Sequence, residues 1–272
     1  MEYVTVQGTA VPALGLGTWR MSGETCREAV ETGLELGYRH VDTAQVYGNE
    51  RQVGEAIAAS DVDRDEVFLT TKLDVGNRRY DDVIASVERS LAKLRTSYVD
   101  LLLIHNPIQR IPLAETLDAM SELVERGQAR HVGVSNFDVD RLDRARRHSD
   151  EAVFTNQVQF NPYWPQRELL DYCAIHDVLL TAYSPLAHGQ VATDATLQSV
   201  GRRHGKSATQ VALRWVLDHE NVAAVAKASS REHLAENLDV FDFEVTDAEA
   251  ERVRQPSKTR AMWGFVRGRL PV

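Results

Sequence analysis

Eight short apolar runs recur along the chain, separated by stretches with the apolar period of an amphipathic helix. The runs are Leu14–Gly17, Tyr38–Thr43, Val67–Lys72, Val99–Asn106, His131–Ser135, Phe154–Gln159, Val178–Tyr183 and Val222–Lys227. Between them lie helical patterns such as Cys26–Leu36, Asp82–Leu94, Leu113–Glu125, Arg167–Ile175 and Thr209–Leu217. This alternation predicts βα units around a parallel sheet. Tyr3–Val6 and Thr9–Val11, with Gly8 between them, read as a small hairpin outside the count. No low-complexity linker or composition break divides the chain, so residues 1–272 read as one domain, with 256–272 a tail near the pocket.

Eight parallel strands form either a closed barrel or a doubly wound open sheet. The ends of the runs decide. Nearly all finish on a polar residue: Asp42, Lys72, His105, Ser135 with Asn136, Gln157, Tyr183 and Lys227. A closed barrel gathers all its strand C-termini on one face, where chemistry is built. An open sheet concentrates it at one switch point. Gly15 and Gly17 also lack the third glycine and helix entry of a dinucleotide fingerprint. The expected fold is a (β/α)8 TIM barrel with an N-terminal β-hairpin.

Charge and cysteine content bound the partners. A formal net charge of −9 disfavours nucleic acid and anionic membrane surfaces. Cys26 and Cys173 fit no disulfide framework or metal spacing. Met1–Ala10 has neither a basic flank nor an apolar stretch, so no signal peptide is expected. No apolar run approaches the length of a bilayer span. A cytoplasmic, metal-free monomer acting on a small molecule is the expectation.

Asp42, Tyr47, Lys72 and His105 fall at the exits of the second, third and fourth strands, on adjacent parts of one rim. A lysine inside an apolar run wants a carboxylate, and Asp42 is near. An ammonium beside a phenol favours the phenolate and lowers the tyrosine's pKa. With a histidine to hydrogen-bond a substrate oxygen, this set could protonate a carbonyl as hydride reaches its carbon. Each residue also has an ordinary structural reading: a rim ion pair, an interior histidine, a packed tyrosine.

The segment Gly37-Tyr38-Arg39-His40-Val41-Asp42-Thr43-Ala44, followed by Tyr47-Gly48-Asn49-Glu50 and Val53-Gly54, resembles the aldo-keto reductase signature. So do Thr70-Thr71-Lys72, Leu103-Ile104-His105, Gly133-Val134-Ser135-Asn136-Phe137, Asn156-Gln157-Val158 and Ala182-Tyr183-Ser184-Pro185-Leu186. The resemblance runs from Leu14 to about Phe243, and is nearest the prokaryotic short-loop branch that includes 2,5-diketo-gluconate reductases. It implies reversible, nicotinamide-dependent reduction of an aldehyde or ketone. Tyr47 would be the general acid, tuned by Lys72 and Asp42, with His105 orienting the carbonyl. Ser135, Asn136 and Gln157 would bind the nicotinamide carboxamide and Tyr183 would stack on its ring. Ser184 to Leu186 would follow the pyrophosphate, Lys227 the adenosine ribose or its 2′-phosphate, and Glu236 and Asn237 the adenine. Trp19 would wall the substrate pocket. The ordinary readings here are a helix N-cap for Ser135-Asn136 and core packing for Tyr183 and Trp19. Arg141, Arg144, Arg146 and Arg147 read as a solvated helix face; Trp164 reads as packing, while Trp263 is a candidate to reach the pocket.

Three positions depart from the family pattern. Asn106 stands where many relatives carry a tryptophan, giving a smaller, more polar wall. Ala228 and His233 stand where NADPH-preferring relatives commonly carry serine and arginine. The expected cofactor is therefore NADP(H), with NAD(H) also usable. Two rival functions remain open: reduction of a sugar-derived keto acid, and a cofactor-binding regulatory barrel with little turnover. A barrel hydrolase would need a metal cluster or paired carboxylates, and the sequence offers neither arrangement.

Overall fold

The structure is a computed structural model, and it describes residues 1–77, 79–107 and 113–255. The expected tail 256–272, with Trp263, lies outside the described residues. Two antiparallel strands, β1 (Tyr3–Val6) and β2 (Thr9–Pro12), form the hairpin. Eight parallel strands follow: β3 (Leu14–Gly17), β4 (His40–Asp42), β5 (Phe68–Leu73), β6 (Val99–Ile104), β7 (Ala129–Ser135), β8 (Val153–Gln159), β9 (Leu179–Tyr183) and β10 (Val222–Ala226). They close in sequence order, with β10 pairing β3 through Leu14 and Ala224. The expected barrel and hairpin are both present.

Helices α1 (Gly23–Leu36), α2 (Glu50–Ala59), α3 (Tyr80–Leu94), α4 (Leu113–Glu125), α5 (Val139–His148) and α6 (Arg167–Ile175) follow β3 to β8, one after each strand. After β9 come α7 (Ala195–His204) and α8 (Ala208–Leu217), and after β10 come α9 (Arg231–Leu238) and α10 (Asp247–Val253). The larger apolar core lies between these helices and the outward strand faces, as in Leu102 and Ile104 against Leu117, Met120 and Leu123.

A second, smaller core fills the barrel. Val6 and Val11 of the hairpin pack with Phe68, Leu101, Leu103, Phe154, Leu179 and Ala223, plugging the N-terminal end. Because strand side chains alternate faces, every second residue toward the C-terminal end continues into the lumen. Those steps run Phe68, Thr70, Lys72 on β5; Leu101, Leu103, then His105 beyond β6; and Leu179, Thr181, Tyr183 on β9. Thr155 and Thr181 meet at 2.9 Å partway up. The lumen thus changes from apolar at the plug to polar at the open mouth, and that mouth is where a site can form.

Candidate active site

Lys72, the last lumen residue of β5, is fully buried. Its Nζ donates to Asp42 Oδ1 at 2.5 Å and to the Thr43 carbonyl at 2.9 Å. Gln157 of β8 donates from Nε2 to the other Asp42 oxygen at 2.8 Å. Burial pushes the Lys72 ammonium below its ordinary pKa, while Asp42 pulls in the opposite direction. A lone buried charge here would be costly; paired and hydrogen-bonded, it persists.

Tyr47 ends a single 3-10 turn, Gln45–Tyr47, that projects over the mouth. Lys72 Nζ lies 5.1 Å from the centre of its ring. The His105 ring meets the Tyr47 ring edge-on, centres 5.7 Å apart at 80°. The four residues grouped by sequence therefore converge on one spot. The expected direction of the Tyr47 pKa is wrong, however. Burial pushes the phenol well above its ordinary value, and the charge of Asp42 adds to the rise. In the resting site the Asp42 carboxylate, paired with Lys72, opposes loss of the phenol proton.

Asn136 holds the next sector of the rim. Its backbone is left-handed, at φ 64°, an uncommon conformation that asparagine tolerates better than most residues. Its Nδ2 donates to the His105 carbonyl, Asn106 Oδ1 and Ser135 Oγ, each at 3.0 Å, and its Oδ1 accepts from Tyr183 at 2.8 Å. Ser135 and Asn136 are not a helix cap: α5 is capped by Asp138, which accepts from the Arg141 amide at 2.9 Å. A cavity of about 770 Å³ opens beside Asn136 and Tyr183 and reaches Trp164. Trp164 is 40% exposed, so it walls this cavity rather than packing in the core.

The remaining sector suits an anion. Ser184, Ala187, His188 and Gly189 all have positive φ, between 46° and 85°. Three of them are not glycine, so backbone strain is concentrated in one short loop. Within the loop the Ala187 amide donates to the Ser184 carbonyl at 3.0 Å and the Gly189 amide to the Leu186 carbonyl at 2.9 Å. Across from this loop, Trp19 meets His188 edge-on at 5.9 Å, and Arg20 lies over the Trp19 ring at 4.6 Å. Lys227 donates to the Arg20 carbonyl at 3.4 Å. Burial, together with the charge of Arg20, pushes both Lys227 and His188 below their ordinary pKa values. A phosphate would relieve that crowding of positive charge, so this donor set fits the pyrophosphate of a dinucleotide. Ala228, the next residue in the chain, is buried.

Other expected cofactor residues have partners within the chain. Glu236 accepts from Ser207 Oγ at 2.6 Å. Asn237 is buried and hydrogen-bonds the Tyr38 phenol. Leu186 packs against the main core. His233 is exposed on α9. Residues without an assigned role in the sequence reading also hold the site. Asn49 accepts from Thr43 Oγ1 at 2.7 Å and donates to the Thr18 and Met21 carbonyls. Buried Glu50 accepts from Thr71 at 2.8 Å and pairs with Lys93. Both belong to the quoted signature, as does Thr43, but Thr18, Met21, Thr71 and Lys93 are too distant in sequence to be read from it.

No helix among the described residues is long and apolar enough to cross a membrane. The profile described as the aldo/keto reductase family matches residues 13–258. The methylglyoxal reductase DkgB of Salmonella typhi is 38% identical over 242 residues, covering 88% of this chain and 90% of its own. The glyoxal reductase of Bacillus subtilis (strain 168) is 36% identical over 247 residues, covering 90% and 89%. The crystal structure of a candidate 2,5-diketo-D-gluconic acid reductase B superposes with a TM-score of 0.92 at 44% identity, covering 100% of this chain and 94% of that one. The chain belongs to the aldo/keto reductase family and is an oxidoreductase acting on carbonyl groups.

Proposed function

We propose that Tyr47 donates the proton in this reduction, with His105 aligning the carbonyl and Lys72 and Asp42 behind the phenol. The observation that carries this reading is the meeting of Tyr47 and His105 above the buried Lys72–Asp42 pair. A bound reduced nicotinamide supplies the hydride. The chain does the rest. His105 and Tyr47 approach from two sides and can share one substrate oxygen. The raised pKa keeps the phenol protonated until that oxygen gains charge, as a general acid requires. Once the proton leaves, the Lys72 ammonium is the nearby positive charge that steadies the phenolate.

Ser135, Asn136 and Gln157 are assigned to the carboxamide and Tyr183 to the face of the nicotinamide ring. Ser184, Leu186 and Lys227 follow the pyrophosphate and ribose, with Glu236 and Asn237 at the adenine. The substrate enters past Trp19 and Asn106. The polar Asn106 wall favours small hydrated aldehydes and ketones. A sugar-derived keto acid is the second reading, favoured by the 44% identical structure. The cofactor is NADP(H), with NAD(H) used appreciably, because exposed His233 lacks the fixed cationic fork of arginine. Two buried, unpaired thiols fit a cytoplasmic setting.

The test is Tyr47→Phe, assayed with NADPH and NADH against aldehydes, ketones and keto sugars. Turnover should fall by about 10²–10⁴-fold while cofactor binding holds. A variant keeping more than about half its rate would remove Tyr47 from the role, because general acid catalysis is worth far more than that.

A further inference from the structure

The turn that carries Tyr47 is three residues long, too short to be stable by its own hydrogen bonds. Its cap residue, Ala44, makes no side-chain cap bond, and Val46 points to solvent at 57% exposure. The side chain that ties the turn to the body of the protein is Gln45. Its Nε2 donates to Ser86 Oγ and Ser90 Oγ on α3, both at 3.1 Å. Its Oε1 accepts from the Asp74 amide at 2.8 Å and from Asn77 Nδ2 at 3.0 Å. An amide side chain has two donor hydrogens and two acceptor sites, so the Gln45 capacity is filled.

The partners also fix which way the amide points. Ser86 Oγ donates to the Val83 carbonyl at 3.0 Å and Ser90 Oγ to the Ser86 carbonyl at 3.1 Å. With their protons committed to the helix, both hydroxyls present lone pairs to Gln45. The Asp74 amide can only donate, so it selects the oxygen. Asp74 to Asn77 is the stretch directly after β5, the strand that delivers Lys72. One side chain therefore binds both the turn bearing Tyr47 and the segment leaving Lys72.

We propose that Gln45 is a positioning residue for the proton donor: it sets the height and angle of Tyr47 over Lys72 without touching substrate or cofactor. This rests on the reading of Tyr47 as the acid. A misplacement of about 1 Å in such a group lowers turnover by about 100-fold.

The test is a double-mutant cycle with Gln45→Met, which keeps length and removes all four bonds. In the wild-type background kcat should fall by about 10- to 100-fold, while KM and the cofactor Kd shift less than about 3-fold. In the Tyr47→Phe background the same change should lower the residual rate by less than about 3-fold, because there is no proton donor left to misplace. Ser86→Ala with Ser90→Ala gives a second route, since alanine favours the α3 helix and leaves Gln45 in place. It should reproduce the selective loss in kcat with the melting temperature retained. Equal losses in both backgrounds would overturn the proposal and show a general structural role. An unchanged kcat in Gln45→Met would overturn it as well. A Tyr47→Phe enzyme with wild-type turnover would instead remove the acid assignment itself, and the positioning role with it.

Discussion

Gln157 reaches from β8 to Asp42 on β4, donating across the barrel mouth at 2.8 Å to the carboxylate oxygen that Lys72 does not hold. A residue assigned to the cofactor thus also completes the solvation of a buried charge. Gln157→Leu should therefore lower the stability of the cofactor-free enzyme by about 1–3 kcal/mol, the usual result of stripping a partner from a buried polar group. Urea unfolding without cofactor measures this. An unchanged midpoint would mean that Gln157 serves the cofactor alone.

Gly54 of α2 lies against the end of α3. A Cβ added there would sit 2.5 Å from the Leu94 carbonyl carbon and 2.6 Å from its Cα. Alanine is favoured over glycine in a helix by about 1 kcal/mol, but here it would press on backbone that has no rotamer to change. Gly54→Ala should destabilise by about 1–3 kcal/mol through overpacking. A rise in melting temperature would show that the two helices separate freely.

Glu249 joins α10 to α7. Burial alone would raise its pKa, but hydrogen bonds from His204, Thr246 and Arg203 outweigh this and hold the carboxyl at about 2, below the ordinary 4.5. A depressed carboxyl contributes stability that is fully present above its unfolded value and lost as pH falls through the folded one. The urea midpoint of the wild type should exceed that of Glu249→Gln at pH 6. The gap should narrow once pH drops below about 4.5 and continue closing toward 2. A gap that stays constant from pH 6 to 3 would show that the carboxylate charge is immaterial.

His233 stands exposed in the first turn of α9, the helix that follows Lys227 in the chain. Restoring a fork of fixed donors there, His233→Arg, should tighten NADPH by about one to two decades, the worth of one charge-assisted contact. NADH should change little. Quenching of tryptophan fluorescence by each cofactor reads both affinities. Equal gains for the two cofactors would place the 2′-phosphate elsewhere.

The barrel was legible because its signal is local. Eight apolar runs with polar ends carry the period, the strand count and the side of the barrel on which chemistry gathers. All eight runs coincide with strands of the closed sheet. The convergence of Asp42, Tyr47, Lys72 and His105 followed from strand order alone. Partnerships across the barrel were not legible, since no sequence spacing connects Gln157 with Asp42 or Gln45 with Ser86 and Ser90. The Tyr47 pKa failed for a related reason. Its direction is set first by burial of the phenol and then by the charge of Asp42, and no sequence spacing reveals how deeply the ring is enclosed.

The pairing of β10 with β3 bears on how the chain acquires activity during synthesis. Leu14 is synthesised about 210 residues before its partner Ala224, so the ring stays open while the strands between them are made. Until then β3 and β9 expose unpaired edges, which are templates for association with other chains. Ring closure also waits on a long-range contact, the kind that slows folding. Lys227 arrives with that closing strand. The sector proposed to hold the cofactor phosphates would therefore be completed in the same event that seals the barrel.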